Sequence, residues 1–125
     1  MSLQEALRAR PDLSTISTVR EELGCTLRAL RFYEQKELVT PQRHGKHRLY
    51  APRDIERLRR ILKLKSLGLS LAEIKQTVRK PAAGPYGLSR KLCEKLIHRI
   101  TVSRSSADAA LKQLRQIVLQ FPVEE

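Results

Sequence analysis

Cysteine is scarce: Cys25 and Cys93 are all the 125-residue sequence holds. They lie far apart, with no CxxC spacing and no neighbouring histidines. That excludes a disulfide framework and gives no reason to expect a metal site; reduced thiols suit a cytoplasmic protein. Long apolar runs are missing as well. The start, "MSLQEALRAR", has no secretory core, and no stretch approaches the roughly 18 apolar residues that a membrane span needs. Paired carboxylates, a nucleophile with its base and a phosphate-binding loop are also absent, so neither an enzyme nor a cofactor is expected. Acidic residues are in deficit: 13 Asp and Glu face 25 Lys and Arg, a net charge of +12. Such a surplus favours a polyanionic partner, either nucleic acid or an acidic membrane surface. The length fits one domain, or one small domain with an extension.

What is present is helical periodicity. Ile16, Val19 and Leu23 recur at i, i+3 and i+7, with Ser17 and Thr18 able to cap and Gly24 able to turn the chain. Thr26 can cap the following helix, "TLRALRFYEQKEL". There Leu27 and Leu30 share one face, while Arg28, Arg31 and Gln35 fall within an arc of about 60° on another. Two short helices joined by a glycine-containing turn predict a helix-turn-helix. "LVTPQRHGKHRLYAP" reads as a β-wing, with strands at Leu38-Val39 and Arg48-Leu49-Tyr50 and Gly45 at the turn. Pro52 then suits the first turn of a helix with Ile55, Leu58 and Leu62 inward and Asp54 and Glu56 near its N-terminus. Gly68 ends that helix. Ser70 and Glu73 form a capping-box pair for another, with Leu71, Ile74 and Val78 inward.

Residues 80–87, "KPAAGPYG", read as a linker. Beyond it Cys93, Leu96, Ile100, Ser103, Ala107, Ala110, Leu114, Ile117 and Phe121 alternate spacings of three and four. This reads as the seam of a coiled coil, small in the middle and bulky at both ends, and predicts an antiparallel dimer helix over 88–121, the alternative being a stripe that packs back on its own domain. Residues 122–125 form a tail. Residues 1–13 are an extension in which Leu3, Ala6 and Leu7 suggest a short packing helix. The expected fold is therefore mainly α: a winged helix-turn-helix domain over 14–79, then a long dimerisation helix. Charge follows this division, with 18 basic and 9 acidic residues in 1–87 against 7 and 4 in 88–125. Residues 43–65 alone carry nine basic residues against two acids.

The stretches "TLRALRFYEQKELVTP", "HRLYAPRDIERLRRI" and "LGLSLAEIK" carry a resemblance. Through them residues 16–78 resemble the winged-helix DNA-binding domain of MerR-family transcription regulators. The resemblance implies that the second helix enters the major groove, with Thr26, Arg28, Arg31 and Tyr33 at the DNA and Phe32 flanking them. Arg28 and Arg31 are the base-edge candidates, because a guanidinium pairs bidentately with guanine. In the wing, Arg43, Arg48 and Tyr50, with Lys46 at the tip, are expected to grip phosphates. His47 joins these contacts, standing where the family commonly has an aromatic, in a wing that is one residue shorter than usual. Ala51 replaces the expected capping serine, a loss of about 1 kcal/mol.

As a whole the resemblance implies a homodimeric, sequence-specific DNA-binding regulator on a pseudo-palindromic promoter site. Its partners would be double-stranded DNA, a second copy and RNA polymerase at the promoter, its place the cytoplasm at the nucleoid. It would act by distorting DNA or by occupancy. The effector segment that such regulators carry beyond the dimer helix has no counterpart before "FPVEE". Cys93 lies near the position of a ligand in some metal sensors but lacks companion thiols, so it is read as a seam residue. An architectural or recombination accessory protein and a thiol or metal sensor acting through Cys93 remain alternatives.

Overall fold

The computed structural model describes residues 1–123. The chain divides into two compact units, Met1–Gly87 and the segment from Leu88 onward.

In the first unit, helix α1 (Leu3–Ala9) starts at Ser2, whose hydroxyl accepts from Glu5 N. Strand β1 (Ser14–Thr15) leads directly into helix α2 (Ile16–Leu23). The cap of α2 is Thr15, not the expected Ser17 or Thr18: its Oγ1 accepts from Thr18 N at 3.3 Å. Gly24 ends α2 in the left-handed region, at φ +65, where a side chain is disfavoured. Helix α3 (Leu27–Gln35) begins two residues later with Thr26 Oγ1 accepting from Ala29 N at 3.0 Å. These two helices are the expected helix-turn-helix.

Leu38-Val39, expected as a strand, is not one. Leu38 N donates to Tyr33 O at 3.0 Å and Glu37 N to Glu34 O at 2.9 Å. Together they form the paired bonds of a Schellman motif that closes α3. Both apolar side chains are buried while the backbone serves the helix end. The wing is instead strand β2 (Gln42–His44) paired antiparallel with strand β3 (His47–Tyr50). Gly45 turns the hairpin at φ +60. A third strand, unexpected from the sequence, completes the sheet in the order β1-β3-β2, with Ser14 opposite Tyr50 and Thr15 opposite Leu49.

Helix α4 (Pro52–Ser66) follows the sheet. Ala51 has no side-chain oxygen to cap it, but the Asp54 carboxylate accepts from Ala51 N at 2.9 Å and supplies the reverse half of a capping box. Helix α5 (Leu71–Arg79) has both halves: Ser70 Oγ accepts from Glu73 N, and Glu73 Oε1 accepts from Ser70 N. Val19, Leu30, Tyr50, Leu58, Ile61 and Leu64 are the fully buried side chains of the core. A second apolar cluster joins Leu13, Leu49 and Ala51, with Leu3 and Leu7 of α1 packed against it, so the N-terminal helix backs the wing. Residues 80–87 form a built corner. Ala82 N donates to Gly87 O at 2.9 Å, Pro85–Gly87 make a 3₁₀ turn, and a Cβ on Gly87 would lie 2.9 Å from Pro81 Cβ.

The second unit is helix α6 (Arg90–Val118), 29 residues capped by Ser89 Oγ and about 43 Å long. Of the expected seam, Leu96 is buried and Cys93 half-buried, while Ile100, Ser103, Ala107, Ala110, Leu114 and Ile117 are exposed. Phe121, the expected last seam position, lies past the helix end, where Phe121 N donates to Val118 O in a turn. No helix among the described residues is long and apolar enough to cross a membrane.

Candidate nucleic-acid interface

Helix α3 buries Leu30 and Tyr33 and leaves Arg28, Arg31, Phe32 and Gln35 outside. The amphipathic spacing decides this: Leu30 and Tyr33 stand three apart on the core side, and the arginines fall opposite. Lys36 Nζ lies 5.6 Å from the centre of the exposed Phe32 ring, and that ring meets Tyr33 edge-on at 5.8 Å.

Two expected DNA contacts belong to the interior. Tyr33 is 2% exposed and Tyr50 0%. Neither hydroxyl has a hydrogen-bond partner among the described residues. Burial pushes the Tyr50 hydroxyl up to about 12, with the Glu34 carboxylate adding to the effect. Both rings fill the core between helices and sheet, because an aromatic side chain gains more by burying its face than by resting on a wet surface.

Glu34, absent from the expected contacts, organises the wing. Its Oε1 accepts from Arg48 Nε at 2.5 Å, and its Oε2 accepts from an Arg43 terminal nitrogen at 2.6 Å. Burial by itself would raise this carboxyl; the hydrogen bonds from Arg48 and Arg43 outweigh it and hold the group below the usual carboxylate range. One acid on α3 thereby holds one arginine from each wing strand. Arg43 and Arg48, expected to grip phosphates, are engaged first with Glu34, and the Arg48 side chain is only 22% exposed. The signal was available: no other acid lies between Glu37 and Asp54, a stretch that holds Arg43, Lys46, Arg48 and Arg53.

A cleft of about 380 Å³ opens between α3, the start of α2 and the wing. Arg31 lines it from α3, and Lys46, His47 and Arg48 line it from the wing. Leu3 of α1 forms part of its wall, and Met1 O lies 2.8 Å from His44 Nε2, which ties the N-terminal segment to the first wing strand. The structure thus brings together Arg31, Lys46, His47 and Arg48. Thr26 is committed to its cap, while Arg28 stands exposed on the same helix. A concave surface with converging positive charge and a helix edge is suited to a phosphate-bearing polymer.

Both cysteines are free and half-buried. Burial raises the Cys25 thiol, which lowers its reactivity. No group of three or more His, Cys, Asp and Glu side chains that could hold a metal ion occurs among the described residues.

Comparisons with known proteins agree with this architecture. Residues 14–80 match the model of the MerR HTH family regulatory protein, and residues 55–117 match a second model described as "MerR, DNA binding". The HTH-type transcriptional activator TipA of Streptomyces coelicolor is 36% identical over 92 residues, covering 72% of this chain. The chain spans only 36% of that relative's length. Among solved structures, a MerR-family transcriptional regulator from Bacillus cereus superposes with a TM-score of 0.79 at 24% identity, covering 90% of this chain and 85% of that one. MtaN, the N-terminus of the Bacillus subtilis multidrug transporter activator, gives 0.67 at 25% identity over 86% of this chain and 99% of its own. With the two family-model matches together spanning residues 14–117, the chain belongs to the MerR family of HTH regulatory proteins.

Proposed function

We propose that this protein is a sequence-specific DNA-binding transcription regulator that binds a two-fold promoter site as a homodimer. The observation that carries the reading is the basic cleft, where Arg31 of α3 meets Lys46, His47 and Arg48 of the wing. Arg28 and Arg31 read base edges in the major groove, and Lys46, His47 and the outer nitrogens of the wing arginines position the backbone. Phe32, exposed at 41%, is an apolar contact for sugar or a thymine methyl. Supporting this division of labour, Glu34 fixes the wing to α3, so that groove and backbone contacts keep one register.

The dimer is formed by α6. Ile100, Leu114 and Ile117 are exposed by about half, and a second antiparallel copy would cover them across a centre made of Ser103, Ala107 and Ala110. Two heads on one rigid pair of helices would engage two half-sites and distort the DNA between them, or block it by occupancy; RNA polymerase would meet the dimer at the promoter. The test is Arg31→Ala on a mapped operator. We expect a loss of about 1–3 kcal/mol of binding energy, with relaxed preference at one base pair of each half-site. Unchanged affinity and footprint would remove α3 from the groove.

A further inference from the structure

A concavity of the first unit lies away from the basic cleft, on the side of α4 that faces the end of α5 and the 80–87 corner. It has a volume of about 640 Å³, within the roughly 300–1,000 Å³ usual for small-molecule sites. Arg53, Arg57 and Arg60 project from α4 into it at i, i+4 and i+7, one stripe along the helix. Like charges at this spacing destabilise a helix, so the stripe works against the fold unless something neutralises it. The neighbouring acids are already used: Glu56 and Glu22 both accept from Arg59, at 2.7 and 2.6 Å. No carboxylate pairs with Arg53, Arg57 or Arg60 among the described residues. The ε nitrogen of Arg60 is out of solvent with no acceptor among the described residues.

Val78 and Tyr86 also line this concavity, with Tyr86 49% exposed and Lys63 Nζ 5.5 Å from the centre of its ring. The corner holds that ring in place by unusual backbone: Tyr86 and Gly87 both adopt positive φ, +57 and +75, against the Pro81 ring. A non-glycine residue in this region is uncommon and is held there by its surroundings. Arginines and an aromatic ring lining one cleft suit a ligand with anionic and planar parts.

We propose that this cleft binds a small molecule carrying two or more phosphates on a flat, partly apolar body, the chemistry of a nucleoside di- or triphosphate. The arginine stripe takes the phosphates, and Tyr86 with Val78 takes the planar part. The site is independent of the DNA-reading face: none of its lining residues lines the basic cleft.

The experiment is calorimetric titration of the full chain with ATP, tripolyphosphate and adenosine at physiological salt. We expect saturable ATP binding with one site per chain, weakened about tenfold by Arg57→Gln or Arg60→Gln and also by Tyr86→Ala, with folding checked by circular dichroism. Tripolyphosphate should bind more weakly than ATP, and adenosine more weakly still. Absence of saturable ATP binding overturns the proposal. So does an equal loss in Arg90→Gln, which would make the binding diffuse attraction to a basic chain. Duplex DNA affinity is measured on the same variants. If Arg57→Gln and Arg60→Gln lose DNA affinity as strongly as ATP affinity, the stripe holds DNA phosphates and the small-ligand site is refuted.

Discussion

Tyr50 shows how a single side chain can belong to the fold rather than the interface. Its ring is fully buried, and its hydroxyl, pushed up to about 12, titrates above the value near 10 of an unfolded chain. A folded value above the unfolded one means that the stability is whole below pH ~10 and is lost as pH rises toward 12. Tyr50→Phe should remove this alkaline limb in denaturation curves while leaving neutral-pH stability equal or higher by about 1 kcal/mol, since the buried hydroxyl has no partner to lose. A large loss at neutral pH would contradict the assignment. Glu37 is a second case: it sits at φ +61 at the end of α3, the position where glycine is preferred. Glu37→Gly should raise stability by about 1 kcal/mol in urea melts, because the left-handed conformation penalises a Cβ. A fall in stability would mean that the Glu37 side chain contributes more than its backbone costs.

Among the elements, the wing and α3 act together because Glu34 joins them. The Glu34 carboxyl lies below its ordinary range, so its contribution is present above pH ~4.3 and fades as pH falls through its lower folded value. Glu34→Gln should lose this acid dependence. It should also free Arg43 and Arg48 for phosphates, raising non-specific DNA affinity and steepening its salt dependence while the ratio of specific to non-specific binding falls. An unchanged ratio in competition binding would mean the clamp does not set the wing's register. The helices, the Thr26 and Ser70 caps and the αL turn at Gly24 were legible in the sequence, because each depends on residues three or four positions apart. Strand β1 was not, since two residues give no periodicity and their partner β3 lies some 35 residues on. Leu38-Val39 misled for a related reason: an apolar pair looks like a strand until the helix end claims its backbone. Arg31, Lys46, His47 and Arg48 could be named for the proposed interface through the family resemblance, but that Tyr33 faces inward depends on Leu30 and the packed sheet.

For the whole molecule, the proposed two-fold site needs two heads, and in the proposed dimer α6 would bring them together. Replacing both Ala107 and Ala110 by Glu should then split that dimer, since like charges at the close centre of the pairing repel. Sedimentation equilibrium would show monomers; a variant that remains dimeric would move the seam elsewhere. The separated heads should then lose the avidity that linkage provides and bind a full site far more weakly. The most direct test of the account is selection of duplexes from a randomised library by the wild-type chain, followed by sequencing of the bound fraction. Enrichment of an inverted repeat, with half-sites related by a dyad, is the predicted result; a bound fraction with no sequence enrichment would contradict specific recognition by α3 and favour an architectural role.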